Sequence, residues 1–169
     1  MDGKYKALLD RMMVLCSKRE YCESDIRKKL SQAMAKDDGE PDIASDIRAA
    51  DEIIIALKKD RFLDDRRYAE AFARDKSSIS GWGKVKIRHA LAAKGIGRPL
   101  IEEVLSGIDG NPGMEKLEKA LKKKYSSLRD DPQCKLKLLR FALGRGYEYD
   151  EVRDMVDAVI AAEVAPEMS

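Results

Sequence analysis

Aromatic residues are scarce in this chain. One Trp, six Tyr and three Phe make up 6% of 169 residues, so a large aromatic core is excluded. There is one histidine, His89, with no second His or nearby Cys to share a metal or a proton with. It reads as a solvated helix residue. The three cysteines, Cys16, Cys22 and Cys134, are odd in number and form no CxxC pair. That argues against a disulfide framework and against zinc, and favours small, part-buried thiols in a reducing compartment. No apolar run approaches the roughly 20 residues a bilayer helix needs, and no signal peptide is visible, so a cytoplasmic protein without a membrane role is expected. Alternation with period two is absent, so strands are not expected.

Charge, by contrast, is abundant. Charged residues make up 38% of the chain, and its net charge of +2 conceals strong alternation along the sequence. Residues 37–65 are acidic, 76–101 hold six Lys or Arg and no Asp or Glu, 102–115 are acidic again, and 116–145 hold ten Lys or Arg against three acids. Such blocks suggest an elongated molecule with separate basic and acidic faces.

Helical spacing recurs throughout. Tyr5, Leu8, Leu9, Met12, Met13 and Cys16 predict a helix over 4–17, and Ile26, Leu30 and Met34 one over 24–34. An acidic linker, 37–42, carries Gly39 and Pro41. A third helix is expected over about 43–58. The Asp64-Asp65 pair opens a fourth, where two carboxylates suit the helix dipole better than a metal. A polar break with Gly81, Trp82 and Gly83 leads into a basic helix over 84–94, ended by Gly95. Later helices are expected from Arg98-Pro99, from Pro112 with Asn111 as N-cap, from Pro132 after Asp131, and over 150–162. The last few residues are expected to fray.

A shift of 51 residues lays Ile87–Ile108 on Leu138–Val159, with Lys94-Gly95-Ile96 on Arg145-Gly146-Tyr147. A shift of 61 lays Ile26-Arg27 and Leu30 on Ile87-Arg88 and Leu91. Gly95 and Gly146 each follow a basic helix and are expected at the left-handed C′ position. The fold class is therefore all-α, with three tandem three-helix repeats forming an elongated, curved molecule. The modules are 1–60 (with the acidic linker 37–42), 61–110 and 111–163, followed by a tail, 164–169.

Catalysis has little support. Gly81-Trp82-Gly83-Lys84 lacks the GxxxxGK[ST] spacing of a phosphate loop. No catalytic, cofactor-binding or metal-binding residue is assigned, and the chain is not read as an enzyme. Trp82, just ahead of a helix, suits a hydrophobic staple. Stacking or a partner contact is its other use. The basic blocks carry the functional signal, because two basic modules in series suit a long polyanion such as DNA or a nucleoprotein filament. The candidate contact residues are Arg74, Lys76, Trp82, Lys84, Lys86, Arg88, Lys94, Arg98, Lys135, Arg140 and Arg145.

At these residues the chain resembles the RecX family, bacterial regulators of the RecA recombinase. The resemblance rests on Phe62-Leu63-Asp64-Asp65, Arg67-Tyr68-Ala69, Phe72, Arg74, Gly83, Ile87-Arg88, Leu91 and Lys94-Gly95-Ile96. In the third repeat it rests on Arg140-Phe141, Arg145-Gly146-Tyr147, Tyr149-Asp150 and Val152-Arg153. Arg61 departs from the family pattern, which commonly has Gly there, and the acidic linker replaces a short basic hinge. The resemblance implies three helical repeats lying in the groove of RecA filaments on single-stranded DNA. There the protein would inhibit strand exchange, ATP hydrolysis and coprotease activity in DNA repair and the SOS response. It implies a monomer that needs no cofactor and binds duplex DNA more weakly. Two rival readings are a helix-turn-helix regulator acting on duplex DNA through 84–94, and an RNA- or ribosome-associated helical scaffold. The basic helix offers mostly Lys, with no Asn or Gln to reach base edges, which favours phosphate contact.

Overall fold

The computed structural model describes residues 3–36 and 39–164. Among them are nine helices and no strand. They are α1 (Gly3–Lys18), α2 (Glu23–Met34), α3 (Ile43–Lys59), α4 (Asp65–Ser78), α5 (Lys84–Ala93), α6 (Arg98–Ser106), α7 (Met114–Leu128), α8 (Cys134–Leu143) and α9 (Tyr149–Val164). The first two residues of the acidic linker, 37–38, and the tail beyond Val164 lie outside the described residues. Among the described residues, no helix is long and apolar enough to cross a membrane.

The chain forms two compact units. One comprises residues 1–71 and 91–101, the other 72–90 and 102–169. In the first, α1, α2 and α3 turn their i, i+3, i+4 stripes inward. Met12, Ile26, Leu30, Ile53, Ile54 and Leu57 are at most 2% exposed, and Cys16, Tyr21 and Met34 join them in one cluster. Each such side chain contributes about 1.5–3 kcal/mol when removed from water. In the second unit, Leu117, Leu121, Leu138, Tyr147, Val152, Val156 and Val159 form the cluster shared by α7, α8 and α9. All three cysteines are free thiols and buried.

Two helix starts follow the local capping chemistry. Asp42 Oδ1 accepts from the Ser45 N–H and caps α3, and Asp64 Oδ1 accepts from the Arg67 N–H at the start of α4. By contrast, α7 begins at Met114 rather than Pro112, and its N-cap is Gly113, not Asn111. Asn111 instead donates to Glu151 Oε1 at 2.8 Å. Gly113 packs against Gly81, whose Cα lies 2.8 Å from where a Cβ on Gly113 would stand. That tertiary contact displaces the helix start. Similarly, α8 begins at Cys134, after a turn in which Asp131 Oδ1 accepts from the Gln133 N–H.

Gly95 and Gly146 have φ of 79° and 91°, in the left-handed region expected of them. The hydrogen bonds around them repeat at the same 51-residue shift. Lys94 N–H donates to Leu91 O and Gly95 N–H to Ala92 O, while Arg145 N–H donates to Ala142 O and Gly146 N–H to Leu143 O. Arg61, where the family pattern has Gly, carries φ 61°. Its carbonyl accepts from Arg67 Nη2 at 3.0 Å.

Candidate nucleic-acid interface

Within each unit, the start of a middle helix meets the glycine turn that ends the next repeat's middle helix. In the first unit the start of α2 meets Lys94-Gly95. Ser24 Oγ donates to Lys94 O at 2.6 Å, and the Cys22 thiol reaches the same oxygen at 3.9 Å. Lys94 Nζ pairs with Asp25 Oδ1 at 2.7 Å. In the second unit the start of α5 meets Arg145-Gly146. Gly83 N–H donates to Arg145 O at 2.8 Å, and Val85 N–H to Gly146 O at 2.9 Å. The 61-residue shift carries Cys22 to Gly83, and the 51-residue shift carries Lys94 to Arg145. The two joints are thus one structure, built once through side chains and once through backbone.

The second joint leaves no room for side chains. A Cβ on Gly83 would stand 2.7 Å from Tyr147 N and overlap the Gly146 carbonyl, and one on Gly146 would stand 2.6 Å from Lys86 N. Tyr147 closes the joint with a buried hydroxyl that donates to Gly81 O at 2.9 Å. Burial, helped by Glu151, pushes this phenol up to about 12. Trp82 N–H donates to Lys76 O at 2.8 Å, so the backbone on both sides of the tryptophan is tied down.

The candidate contact residues divide into those used internally and those left over. Arg88 makes two hydrogen bonds to Glu102, at 2.7 and 3.3 Å. Lys84 donates to Ile108 O, Lys94 is held by Asp25, and Lys135 pairs with Asp157. These four cations stabilise the protein itself. Arg74, Arg98 and Arg140 are exposed and make no ion pair among the described residues.

The remaining three cations sit against aromatic rings, two of them against the candidate Trp82 itself. Lys76 Nζ and Lys86 Nζ lie 4.6 and 4.3 Å from the Trp82 ring centroid. Arg145 lies 5.1 Å from the Phe141 ring, and Lys124 Nζ is 4.8 Å from the same ring. Lys124 and Phe141 were not among the candidate contact residues. Their signal was available, because both lie in the second basic block, but their pairing depends on how α7 meets α8. Trp82 also touches α4. Its ring meets the Phe72 ring edge-on, 6.3 Å away at 75°.

The two joints differ in their ion pairs, although the Tyr21 ring beside the first also carries two cations, Arg19 at 4.4 Å and Lys29 Nζ at 5.5 Å. At the first, burial alone would raise the Asp25 carboxyl, but the Lys94 ammonium and Cys22 together hold it below its usual range. Lys94 is correspondingly raised by Asp25. At the second, four cations surround two aromatic rings, and no carboxylate pairs with any of them among the described residues.

Comparison with known proteins follows the same repeats. The family model for the second three-helix domain of RecX matches residues 64–105, and that for the third matches 114–156, together half of the chain. The regulatory protein RecX of Clostridium botulinum (strain Eklund 17B / Type B) is 41% identical over 112 residues, covering 64% of this chain and 52% of that one. This chain thus spans about half the length of that relative. The regulatory protein RecX of Salmonella arizonae is 29% identical over 151 residues, 89% of this chain and 90% of that one. A crystal structure of regulatory protein RecX superposes with a TM-score of 0.74 over 91% of this chain and 71% of its own, at 24% identity. RecX from Lactobacillus salivarius gives 0.72 over 92% and 96%, at 20% identity. The chain belongs to the RecX family.

Proposed function

We propose that this chain is a regulator of the RecA recombinase that binds along the groove of RecA filaments on single-stranded DNA. Occupying the groove restrains strand exchange, ATP hydrolysis and coprotease activity during DNA repair. The protein acts in the cytoplasm as a monomer, without a cofactor, and is not itself an enzyme. Its partners are the filament and the single strand within it, with weaker affinity for duplex DNA.

The observation that carries this reading is the set of cations held at the second joint. Lys76, Lys86, Lys124 and Arg145 lie over aromatic rings beside the backbone junction, and none of them pairs with a carboxylate among the described residues. A polyanion gains most from such charges, because meeting phosphates releases condensed counterions while costing the protein no ion pair of its own. A recognition helix on duplex DNA is less well served. Two of the four cations on α5 and its C-terminal turn, Arg88 and Lys94, already hold carboxylates, and Lys84 holds a carbonyl.

The test is a titration into an ATPase assay of RecA assembled on single-stranded DNA. Substoichiometric protein lowers the rate, because one copy along the groove touches several protomers. No effect at any ratio up to saturation, together with tight binding to a particular duplex, would replace this reading with the helix-turn-helix one.

A further inference from the structure

The cations explain attraction to phosphate but not why an aromatic ring sits among them. The same repeat position in the first unit shows what the fold alone requires there. The 61-residue shift carries Tyr21 to Trp82. Tyr21 also has two cations over its ring, Arg19 at 4.4 Å and Lys29 Nζ at 5.5 Å, yet it is 7% exposed and belongs to the core cluster of α1, α2 and α3. Trp82 stays half-buried, touching Phe72 with a ring edge. A larger ring that is less buried than its counterpart is not there for packing alone.

The geometry points to Trp82 as a stacking platform for an unpaired base of single-stranded DNA, with Lys76 and Lys86 meeting the phosphates on either side. The filament reading supplies only the identity of the strand. The residues themselves carry the rest.

Preorganisation comes first. Three hydrogen bonds lock the backbone around the ring: Trp82 N–H to Lys76 O, Gly83 N–H to Arg145 O, and Tyr147 Oη–H to Gly81 O. A ring already fixed in place loses little freedom when a ligand arrives. The supporting contact with Phe72 is edge-on at 75°, which is not a stacked sandwich.

Charge comes second. Ammonium groups at 4.6 and 4.3 Å are drawn to the ring by its quadrupole, but each rides on a flexible four-carbon stem. An arriving base takes the ring face, and the displaced ammonium finds a phosphate of the same strand. Each cation exchanges a weak partner for a full negative charge. Duplex DNA cannot make the exchange cheaply, because its bases already stack on one another and extruding one costs a few kcal/mol.

Trp82 is the only tryptophan, so intrinsic fluorescence reports on this ring alone. The experiment titrates the whole protein with an oligothymidylate, an abasic strand of equal length, and the same thymidylate annealed to its complement. Occupancy is followed separately by sedimentation. At equal occupancy the base-bearing strand quenches Trp82 at least twofold more than the abasic strand or the duplex. Trp82→Ala weakens binding to the base-bearing strand roughly tenfold and leaves abasic binding unchanged, while Trp82→Phe stays within a few-fold of wild type. Equal quenching by base-bearing and abasic strands at equal occupancy overturns the proposal without reference to any variant, as does failure to bind any strand. Either failure leaves the filament reading standing if RecA ATPase is still inhibited. Stacking without ATPase inhibition removes the filament reading and keeps this one.

Discussion

At the first joint, the carbonyl of Lys94 accepts from side chains, Ser24 Oγ and the Cys22 thiol, and the Lys94 ammonium is taken up by Asp25. At the second, the carbonyl of Arg145 accepts from the Gly83 N–H, and the Arg145 guanidinium lies over the Phe141 ring. A joint made by backbone needs glycine, because the chains approach too closely for a Cβ, but it uses no charged side chain. A joint made by side chains leaves space around Gly95, where a Cβ would meet nothing within 4 Å, and it consumes a lysine. The difference teaches where function can sit. The joint that holds itself together through peptide groups leaves Arg145 out of any ion pair among the described residues, whereas the other engages the matching Lys94.

The sharpest way to break this comparison is through the glycines. Gly146→Val places atoms inside the backbone of Lys86 as well as straining a left-handed residue, and should cost about 3 kcal/mol or more. Gly83→Ala should cost a similar amount through the Gly146 carbonyl. Gly95→Ala meets only the backbone penalty, about 1 kcal/mol. Chemical denaturation of the three variants checks the order, and equal midpoints would mean that the joints do not differ in this way.

Removing charge sharpens it next. Lys76→Ala, Lys86→Ala and Arg145→Ala together should flatten the slope of log K against log salt on single strands by roughly 2, at about 0.7 per phosphate lost. Arg88→Ala should leave the slope unchanged and lower stability slightly instead, because it removes the two hydrogen bonds to Glu102. Fluorescence anisotropy across a salt series separates the two results.

Tyr147→Phe removes the buried hydrogen bond to Gly81 and should cost about 1 kcal/mol. The sign of its pH dependence follows from the raised phenol. Its contribution is fully present below the unfolded value near 10 and is lost as pH rises towards about 12. The gap in stability between wild type and Tyr147→Phe should therefore narrow across that window.

The smallest effect belongs to the first joint. Asp25→Asn breaks a pair whose lysine side chain is 42% exposed, so about 0.5 kcal/mol is expected. The depressed Asp25 carboxyl makes that contribution present above the unfolded value near 3.9 and lost as pH falls through its folded value. Acid titration of wild type against Asp25→Asn reads it directly.

Much of this was legible in the residues. Period 3.6 revealed the helices because each packs one narrow stripe. The 51-residue shift revealed Gly95 and Gly146 because a left-handed turn leaves few choices of residue. The start of α7 was not legible: Asn111-Pro112 is a sound local signal, overridden by the approach of Gly113 to Gly81 and Tyr147. Nor could the sequence separate spare cations from employed ones. Lys84, Lys86, Arg88 and Lys94 look alike in a basic helix. Only the positions of Ile108, Glu102 and Asp25, each distant in sequence from the cation it holds, show that Lys86 alone of the four lacks such a partner among the described residues.

The central claim is that the second joint makes the functional contact. The direct measurement compares two triple variants in the RecA–single-strand ATPase assay. One replaces Lys76, Lys86 and Arg145 by Ala. The other replaces three exposed lysines of the first unit, Lys6, Lys18 and Lys28, with the same loss of charge. With both variants folded as judged by circular dichroism, the first should need at least ten times more protein for half-inhibition, and the second should match wild type within about twofold. Equal inhibition by the two variants would contradict the account.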